Sequence, residues 1–394
     1  MLKVLDLFSG CGGLSHGLSL AGMEILWANE IDSSASKTFR SVHKKTRLWN
    51  ESVEAFLNRI VSKEEDTPQN GEVDLVCGGP PCQGFSGYNR FRSVDDPRNS
   101  LVESFLSIVE ILEPKFVLIE NVPGMLQLND GKTPDKILKT LSKLGYNVDL
   151  GILQAGHYGV PQNRWRVFII AAESGLRLPE FPQPTYSFPR TTLFGATNFK
   201  SNVVKTLDPP GSYLFGELLP HANVGHAISD IPQKTTAIGG YSNYSSEPSC
   251  DFQLQMRMSS ENIFNHYTKS SRKIMIDRIS AVPKTPKSGW LDMPEDLQPK
   301  NLKRFGDNRY PNRFGRLWHE GIFNTIVTEA NAYWGRVIHP EENRVISVRE
   351  SARAQSIPDN FIFSGKLTSM YRQIGNSVPP FLAKEIGSEI LKSL

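Results

Sequence analysis

Apolar runs alternate with amphipathic stretches through the first half of the chain. KVLDLF, EILWANE, VDLVCGG, KFVLIEN and RVFIIAA each read as a short strand, and their near-continuous apolar character marks strands buried on both faces. Helical patterns separate them. The clearest is SLVESFLSIVEIL, residues 100–112, where Leu101, Phe105, Ile108 and Leu112 fall at helical spacing and Pro114 ends the segment. Strands alternating with helices predict an α/β fold built on a doubly wound parallel sheet. That pattern holds to about residue 172. From Pro179 to roughly His339 prolines, serines, asparagines and aromatics dominate and the periodicity fades, which predicts a second, smaller, irregular domain. The last segment, VPPFLAKEIGSEILKSL, opens on prolines suited to a first helical turn and sets Leu382, Ile386 and Ile390 on one face.

Composition narrows this only a little. With 394 residues, 39% of them hydrophobic, the chain can bury one large core or two. No apolar run is long enough to span a bilayer, and Met1 leads straight into KVLDLF, which reads as a strand and not as a signal peptide. A net charge of +3 permits a nucleic-acid partner without arguing for one. Any such charge is local: Lys284, Lys287, Lys300, Lys303, Arg304, Arg309, Arg313 and Arg316 interleave with Tyr310, Phe314 and Trp318. Such a run suits a solvated irregular surface or contact with phosphates. Cys11, Cys77, Cys82 and Cys250 form no CxxC pair and no zinc-spaced cluster, so reduced thiols and no metal are expected.

Four stretches carry candidate chemistry. DLFSGCGGLS, residues 6–15, is a strand ending in a glycine turn that opens a helix, and Glu30 ends the next strand, where a dinucleotide fold holds its ribose-binding carboxylate. NAD and S-adenosylmethionine both fit that pattern, since GxGG is not GxGxxG. GGPPCQGFSG, residues 78–87, places Cys82 after a strand, between stiff prolines and a loose Gly/Ser run. A thiolate there suits attack on an electron-poor ring carbon. Glu120 ends KFVLIEN, where a half-buried carboxyl tends to stay protonated. QNRWR, residues 162–166, begins RVFIIAA; Arg164 and Arg166 alternate and are expected on one face, aimed at a carbonyl oxygen or a phosphate, or else forming an ion-paired edge. Together these groups suit covalent activation of a pyrimidine: thiolate adds to C6, the glutamic acid steadies N3, an arginine holds O2, and C5 takes a methyl group.

The chain resembles the DNA (cytosine-5)-methyltransferases. DLFSGCGGLS is similar to their first cofactor motif, GGPPCQGFS to the nucleophile motif, ENV to the glutamate motif and QNRWR to the QxRxR motif. RESARAQSIPDNF, residues 349–361, is similar to the RExxRxQxFPD segment, with Ile357 in place of Phe, and QIGNSVPP, residues 373–380, to the last motif. They occur in the family's order and span nearly the whole chain.

The resemblance implies a Rossmann-like methyltransferase domain over 1–180 and 345–394 and a target-recognition domain over 181–344. It implies Cys82 as nucleophile, Glu120 on N3 and the exocyclic amine, and Arg166 on O2 with Arg164 in support. S-adenosylmethionine would lie against Phe8, Ser9, Gly10, Gly13, Leu14 and Pro80, with Glu30 on its ribose and Ile31 against adenine. Asn376 and Val378 would close that pocket. Where the family often has an aspartate for the adenine amine, this chain reads WNESV, so Asn50, Glu51 or Ser52 serves, Glu51 being first choice. The loop after Cys82 would close over double-stranded DNA, with contacts from Gln83, Ser86, Arg90 and Arg92, and from Arg313 and Arg316 in the recognition domain. Gly84-Phe85-Ser86, where a transfer-RNA subfamily has Pro-Phe-Thr, favours DNA. A monomeric bacterial enzyme of the cytoplasm and nucleoid is expected, from a restriction–modification pair with a cognate endonuclease or as an orphan, with no domain ahead of Met1. A nuclear eukaryotic enzyme of the maintenance or chromomethylase type is the alternative. A NAD-binding oxidoreductase and an inactive DNA-binding relative are more distant ones.

Overall fold

The computed structural model describes residues 1–81, 99–189, 204–206, 218–304 and 310–394. The chain forms two compact units. The first comprises Met1–Tyr158, Trp165–Leu219 and Val378–Leu394; the second comprises Gly159–Arg164 and Pro220–Ser377.

The first unit begins with three strand–helix repeats: β1 (Lys3–Leu7), α1 (Gly13–Leu20), β2 (Glu24–Asn29), α2 (Ser33–Val42), β3 (Arg47–Trp49) and α3 (Val53–Val61). It continues with β4 (Leu75–Gly78), α4 (Asn99–Leu112), β5 (Phe116–Asn121), α5 (Lys132–Lys143), β6 (Tyr146–Gln154), β7 (Trp165–Glu173) and β8 (Val204–Thr206). The sheet order is β3-β2-β1-β4-β5-β7-β6-β8. The α/β sheet expected from sequence is present, and KVLDLF, EILWANE, VDLVCGG, KFVLIEN and RVFIIAA supply β1, β2, β4, β5 and β7. One feature departs from a wholly parallel sheet. β7 runs antiparallel to both of its neighbours, β5 and β6. A strand's apolar content reports burial and not direction, so periodicity does not distinguish the two.

Side-chain alternation sets the layers. Leu5 and Leu7 of β1 join Val76, Val117, Ile119, Val167 and Ile169 in one core with Phe56 of α3, Phe105, Ile108 and Leu112 of α4, and Ile137 and Leu141 of α5. The intervening residue of β1, Asp6, faces the other side, where Ser15 of α1 donates to it. The helix read at 100–112 is α4, and its predicted apolar face is the buried one.

The second unit carries α6 (Val224–Ile228), β9 (Tyr241–Ser242), α7 (Asp251–Arg257), β10 (Ile263–Phe264), α8 (Lys273–Ala281), α9 (Lys300–Lys303), β11 (Gly315–Arg316), β12 (Arg336–Ile338), α10 (Val348–Ala354) and α11 (Leu367–Asn376). Short elements and loops dominate it, as its composition predicts. Trp290, Phe314, Ile279, Leu302 and Ile338 form a core beneath them. The chain then returns to the first unit as α12 (Pro380–Lys392), with Leu382, Ile386 and Ile390 buried. α12 lies so close to α1 that a Cβ at Gly17 would meet the Pro380 carbonyl and Ala383 at 2.4 Å. Among the described residues no helix is long and apolar enough to cross a membrane.

These boundaries differ from the expected ones. Residues 345–377 belong with the second unit, and hydrogen bonding explains why. Arg353 of α10 pairs with Asp359 at 2.6 Å and with Asp230 at 3.1 Å, and also donates to the Ala227 carbonyl. Arg349 donates to the carbonyls of Phe264, Pro358 and Phe361. Glu350 accepts two hydrogen bonds from Arg344, at 2.7 and 2.8 Å, and closes a capping box with Ser347. All three α10 side chains are fully buried, and a charge in that setting is tolerated only with its partners in place. RESARAQSIPD is therefore the polar core of the second unit. Residues 181–189, by contrast, stay with the first: the amides of Thr185 and Tyr186 donate to the His157 carbonyl.

This network gives the stability a defined pH dependence. Burial works against ionising Glu350, but Arg344 and His339 override it and hold the carboxyl well below the ordinary carboxylate range. Burial lowers His339 from 6.5 to about 4, and His16 and His43 of the first unit are likewise lowered to about 4. Each group binds fewer protons folded than unfolded, so its contribution is complete above its unfolded value and is lost as pH falls through its folded one. Asp6, raised to about 7, and Glu30, also raised, bind more protons folded and act in the opposite sense. The three histidines outnumber them, so urea midpoints are expected to fall from about 6.5 toward 4. His339→Gln should shallow that fall; a level midpoint across the range would contradict the assignment.

Candidate active site

The carboxyl-terminal ends of β1, β2 and β3 meet at the glycine turn. Phe8 and Gly10 adopt left-handed backbone, at φ 56° and 57°, and Gly12 follows at 93°. For Phe8 that conformation costs on the order of 1–2 kcal/mol, and it is held by its neighbours: the Ser9 amide donates to the Asn29 carbonyl and the Gly12 amide to the Ser9 carbonyl. A Cβ at Gly10 would meet nothing within 4 Å, so the turn faces open space, whereas one at Gly12 would strike His43 and Phe39. The His43 Nε2–H donates to the Gly12 carbonyl from below.

Glu30 is fixed beside this turn. Its carboxylate accepts from the Gly10 amide at 2.8 Å and from the Asp32 amide at 2.6 Å. Burial pushes its pKa up, and those two amides pull it partly back. Ile31, next along, is 69% exposed and offers an apolar surface. Ser9, Gly13 and Leu14 are buried within the same corner.

The choice among Asn50, Glu51 and Ser52 is narrowed by hydrogen bonding. The Glu51 carboxylate is engaged by Arg59 at 2.7 Å, and the Ser52 hydroxyl caps α3 by accepting from the Ala55 amide. The exposed Asn50 side chain donates to the carbonyls of Glu30 and Ile31 and so lies along the Glu30 corner. Glu51 is thus a partner of Arg59, while Asn50 lies beside the Glu30 corner. Asn29 was missed altogether: its buried amide donates to the carbonyls of Trp49 and Glu51, tying β2 to the end of β3. An asparagine immediately before Glu30, at a strand end, is the signal that marks it.

A second cluster gathers at the end of β5. Arg166 Nε donates to Glu120 Oε1 at 2.8 Å, and both side chains are about nine-tenths buried. The antiparallel direction of β7 makes this pair, because it brings the start of β7 beside the end of β5. Glu120, expected to be kept neutral by burial, has a guanidinium as counter-charge. Burial lowers the pKa of Arg166 and Glu120 partly restores it. The residues leading to Cys82 lie against this pair. A Cβ at Gly79 would sit 3.0 Å from Glu120 Oε2, and Asn121 donates to the Pro80 carbonyl at 3.0 Å. Cys82 itself, with Gln83, Ser86, Arg90 and Arg92, lies outside the described residues.

Two arginines behave otherwise than expected. Arg164 precedes β7, and its guanidinium donates within the second unit to the carbonyls of Ile326, Gly375 and Ser377. It does not share a strand face with Arg166, because β7 begins only at Trp165. Arg316, expected on DNA, is 1% exposed. It donates to the carbonyls of Ile279, Val282, His339 and Glu342 and to Asn343. Five donors in a rigid fork suit Arg to gathering loop carbonyls in a region with little regular structure. Arg313 is partly exposed and stacks on Tyr310, Tyr333 and Trp334, with ring centroids 4.2, 4.7 and 4.9 Å away. Lys284, Lys287, Lys300, Lys303 and Arg304 are exposed. Val378 is buried in the first unit, while Asn376 is an exposed residue of the second.

Comparison with known proteins places this geometry. A family described as C-5 cytosine-specific DNA methylase matches residues 2–392. DNA (cytosine-5)-methyltransferase 1 of Gallus gallus is 34% identical over 99% of this chain and 30% of its own length. DNA (cytosine-5)-methyltransferase 1A of Oryza sativa is 33% identical over 100% of this chain and 28% of its own. The chain thus spans under a third of the length of these relatives. Among solved structures, a protein assigned as a DNA modification methyltransferase encoded within an E. coli prophage matches with a TM-score of 0.70 at 25% identity, covering 100% of this chain and 99% of that one. A Spodoptera frugiperda DNMT2 variant shares the fold, with a TM-score of 0.57 at 16% identity over 100% and 99% of the two chains.

Replacing Arg316 tests its reassignment. Arg316→Met strands several buried carbonyls, so a loss of ~3 kcal/mol or more in unfolding free energy is expected, read by urea denaturation. A variant of unaltered stability that bound DNA more weakly would restore Arg316 to the surface role.

Proposed function

The chain belongs to the C-5 cytosine-specific DNA methylase family, and we propose that it transfers a methyl group from S-adenosylmethionine to carbon 5 of a cytosine in double-stranded DNA. The observation that carries this reading is the buried Glu120–Arg166 pair set against Gly79 and Pro80, the residues that lead into Cys82. It supplies an acid and a guanidinium beside the strand end that delivers a thiol.

The glycine corner fits the methyl donor. Space is open beside Gly10, the Glu30 carboxylate is oriented to accept from ribose hydroxyls, and exposed Ile31 suits a flat base. We assign the adenine amine to Asn50 in preference to Glu51, whose carboxylate Arg59 holds. When bound, S-adenosylmethionine supplies an electrophilic methyl group on a sulfonium.

The chain's own residues do the rest. The base must leave the stack before its C6 is accessible. Cys82, as thiolate, adds to C6 and makes C5 electron-rich. Glu120 carries the hydrogen bond to N3 and the exocyclic amine, and Arg166, held against it, faces O2. Once C5 carries the methyl group, loss of the C5 proton to solvent expels the sulfur as thiolate and restores the ring. DNA contact we assign to the second unit, through its exposed lysines and the stacked Arg313. The restriction–modification and maintenance-type readings share this machinery and differ in the sequence methylated. Bisulfite sequencing of DNA from cells expressing the chain tells them apart.

Cys82→Ser is expected to abolish methyl transfer while S-adenosylmethionine still binds. DNA carrying 5-fluorocytosine should trap an adduct at Cys82, detected by mass spectrometry; turnover by the serine variant, or no adduct during turnover, removes the nucleophile role. Glu120→Gln should slow transfer by about two to four orders of magnitude, the scale of a proton-handling group. An unchanged single-turnover rate would take Glu120 out of the chemistry.

A further inference from the structure

Beneath the glycine turn sits an acid for which the proposed chemistry has no use. Asp6 of β1 is 1% exposed. Its Oδ2 accepts from the Ser15 hydroxyl of α1 at 2.6 Å, and beyond that bond its carboxyl faces the weak donor of the Cys77 thiol. Cys77 of β4, fully buried, is its cross-strand neighbour. The groups that act on Asp6 are the Ser15 hydroxyl and amide, the Cys77 thiol and the Glu30 carboxylate, none of them a cation among the described residues. His16 and His43, whose ring centroids lie 6.2 Å apart, are held neutral by burial.

The hydrogen bond from Ser15 to Asp6 bridges the whole turn. Asp6 lies two residues before Phe8 and Ser15 three residues after Gly12, so the bond closes the loop that contains the left-handed residues. It is stronger when Asp6 is ionised. Ionisation, however, places a second carboxylate near Glu30 in a buried setting, and burial pushes Asp6 up to about 7. A cation bound over the turn would offset that repulsion.

We infer that Asp6 is a positioning residue of the methyl-donor site, holding the turn through Ser15 and giving up its proton to solvent when a cationic ligand occupies the turn. The inference rests on the reading of the turn as the S-adenosylmethionine site. The donor carries a sulfonium; the product, S-adenosylhomocysteine, has a neutral thioether in its place. Donor binding therefore drives out the proton and product binding leaves it. Below the range in which Asp6 ionises the donor must displace the proton and binds more weakly. Above that range the carboxylate is already present and the donor binds more tightly.

Titration calorimetry of the full chain with each ligand, in buffers of different ionisation enthalpy, reads this directly. At pH 7, up to about half a proton should leave with the donor and almost none with the product. The affinity ratio of donor to product should rise about fivefold between pH 6 and pH 8, the low end of site-to-site coupling. Asp6→Asn should erase both effects. Ser15→Ala, which removes the donor that favours the ionised form, should move the change to higher pH, and it decides the matter alone if the Asn variant proves unfolded by circular dichroism. Equal proton release with both ligands, or a ratio that keeps its pH dependence in Asp6→Asn or its midpoint in Ser15→Ala, overturns the inference. Binding of both ligands without proton release overturns it and leaves the donor site standing. Binding of neither ligand overturns the donor-site reading, and the inference with it.

Discussion

The buried Glu120 carboxyl has a cation beside it, and the direction of one strand supplies it. Glu120 is the last residue but one of β5 and Arg166 the second of β7. Were β7 parallel to β5, its first residues would lie at the opposite edge of the sheet, and Glu120 would face burial without a counter-charge. Because the two strands are antiparallel, with Asn121 opposite Val167, the start of one meets the end of the other. The same edge receives the end of β4, after which Gly79 leaves room for the Glu120 carboxyl. Sheet topology, burial and candidate chemistry are thus one constraint.

The second unit meets the same constraint by other means. It has little sheet and only short helices, so its loops must be tied by side chains. Arg316 and Arg336 gather backbone carbonyls, and Arg353 bridges Asp230 and Asp359. Arrangements of this kind are costly to disturb, because removing one member leaves its partners buried and unpaired. They give a region poor in regular structure a defined shape while Arg313, Trp334 and the exposed lysines stay at its surface.

The glycine corner balances strain against access. Left-handed backbone at Phe8 is unfavourable in isolation, and a network of amides and carbonyls from β2 holds it. The conformation leaves space beside Gly10 and points its amide at Glu30. Such a corner binds a ligand through preset polar groups, so little ordering is left to do on binding.

The sequence alone determined the elements and the chemistry-bearing positions. Apolar runs gave β1, β2, β4, β5 and β7, helical spacing gave α4 and α12, and the glycine turn, Glu30 and Glu120 could be read from their places at strand ends. These are local signals, set by residues a few positions apart. The tertiary structure decided what depends on distant partners: the direction of β7, the burial of Arg316 and the capture of Arg164 by carbonyls at 326, 375 and 377. An arginine reads alike in sequence whether its guanidinium meets a phosphate or a ring of buried carbonyls. Only the fold decides which acceptors come within reach: those of Arg164 lie more than a hundred residues away, and those of Arg316 more than twenty.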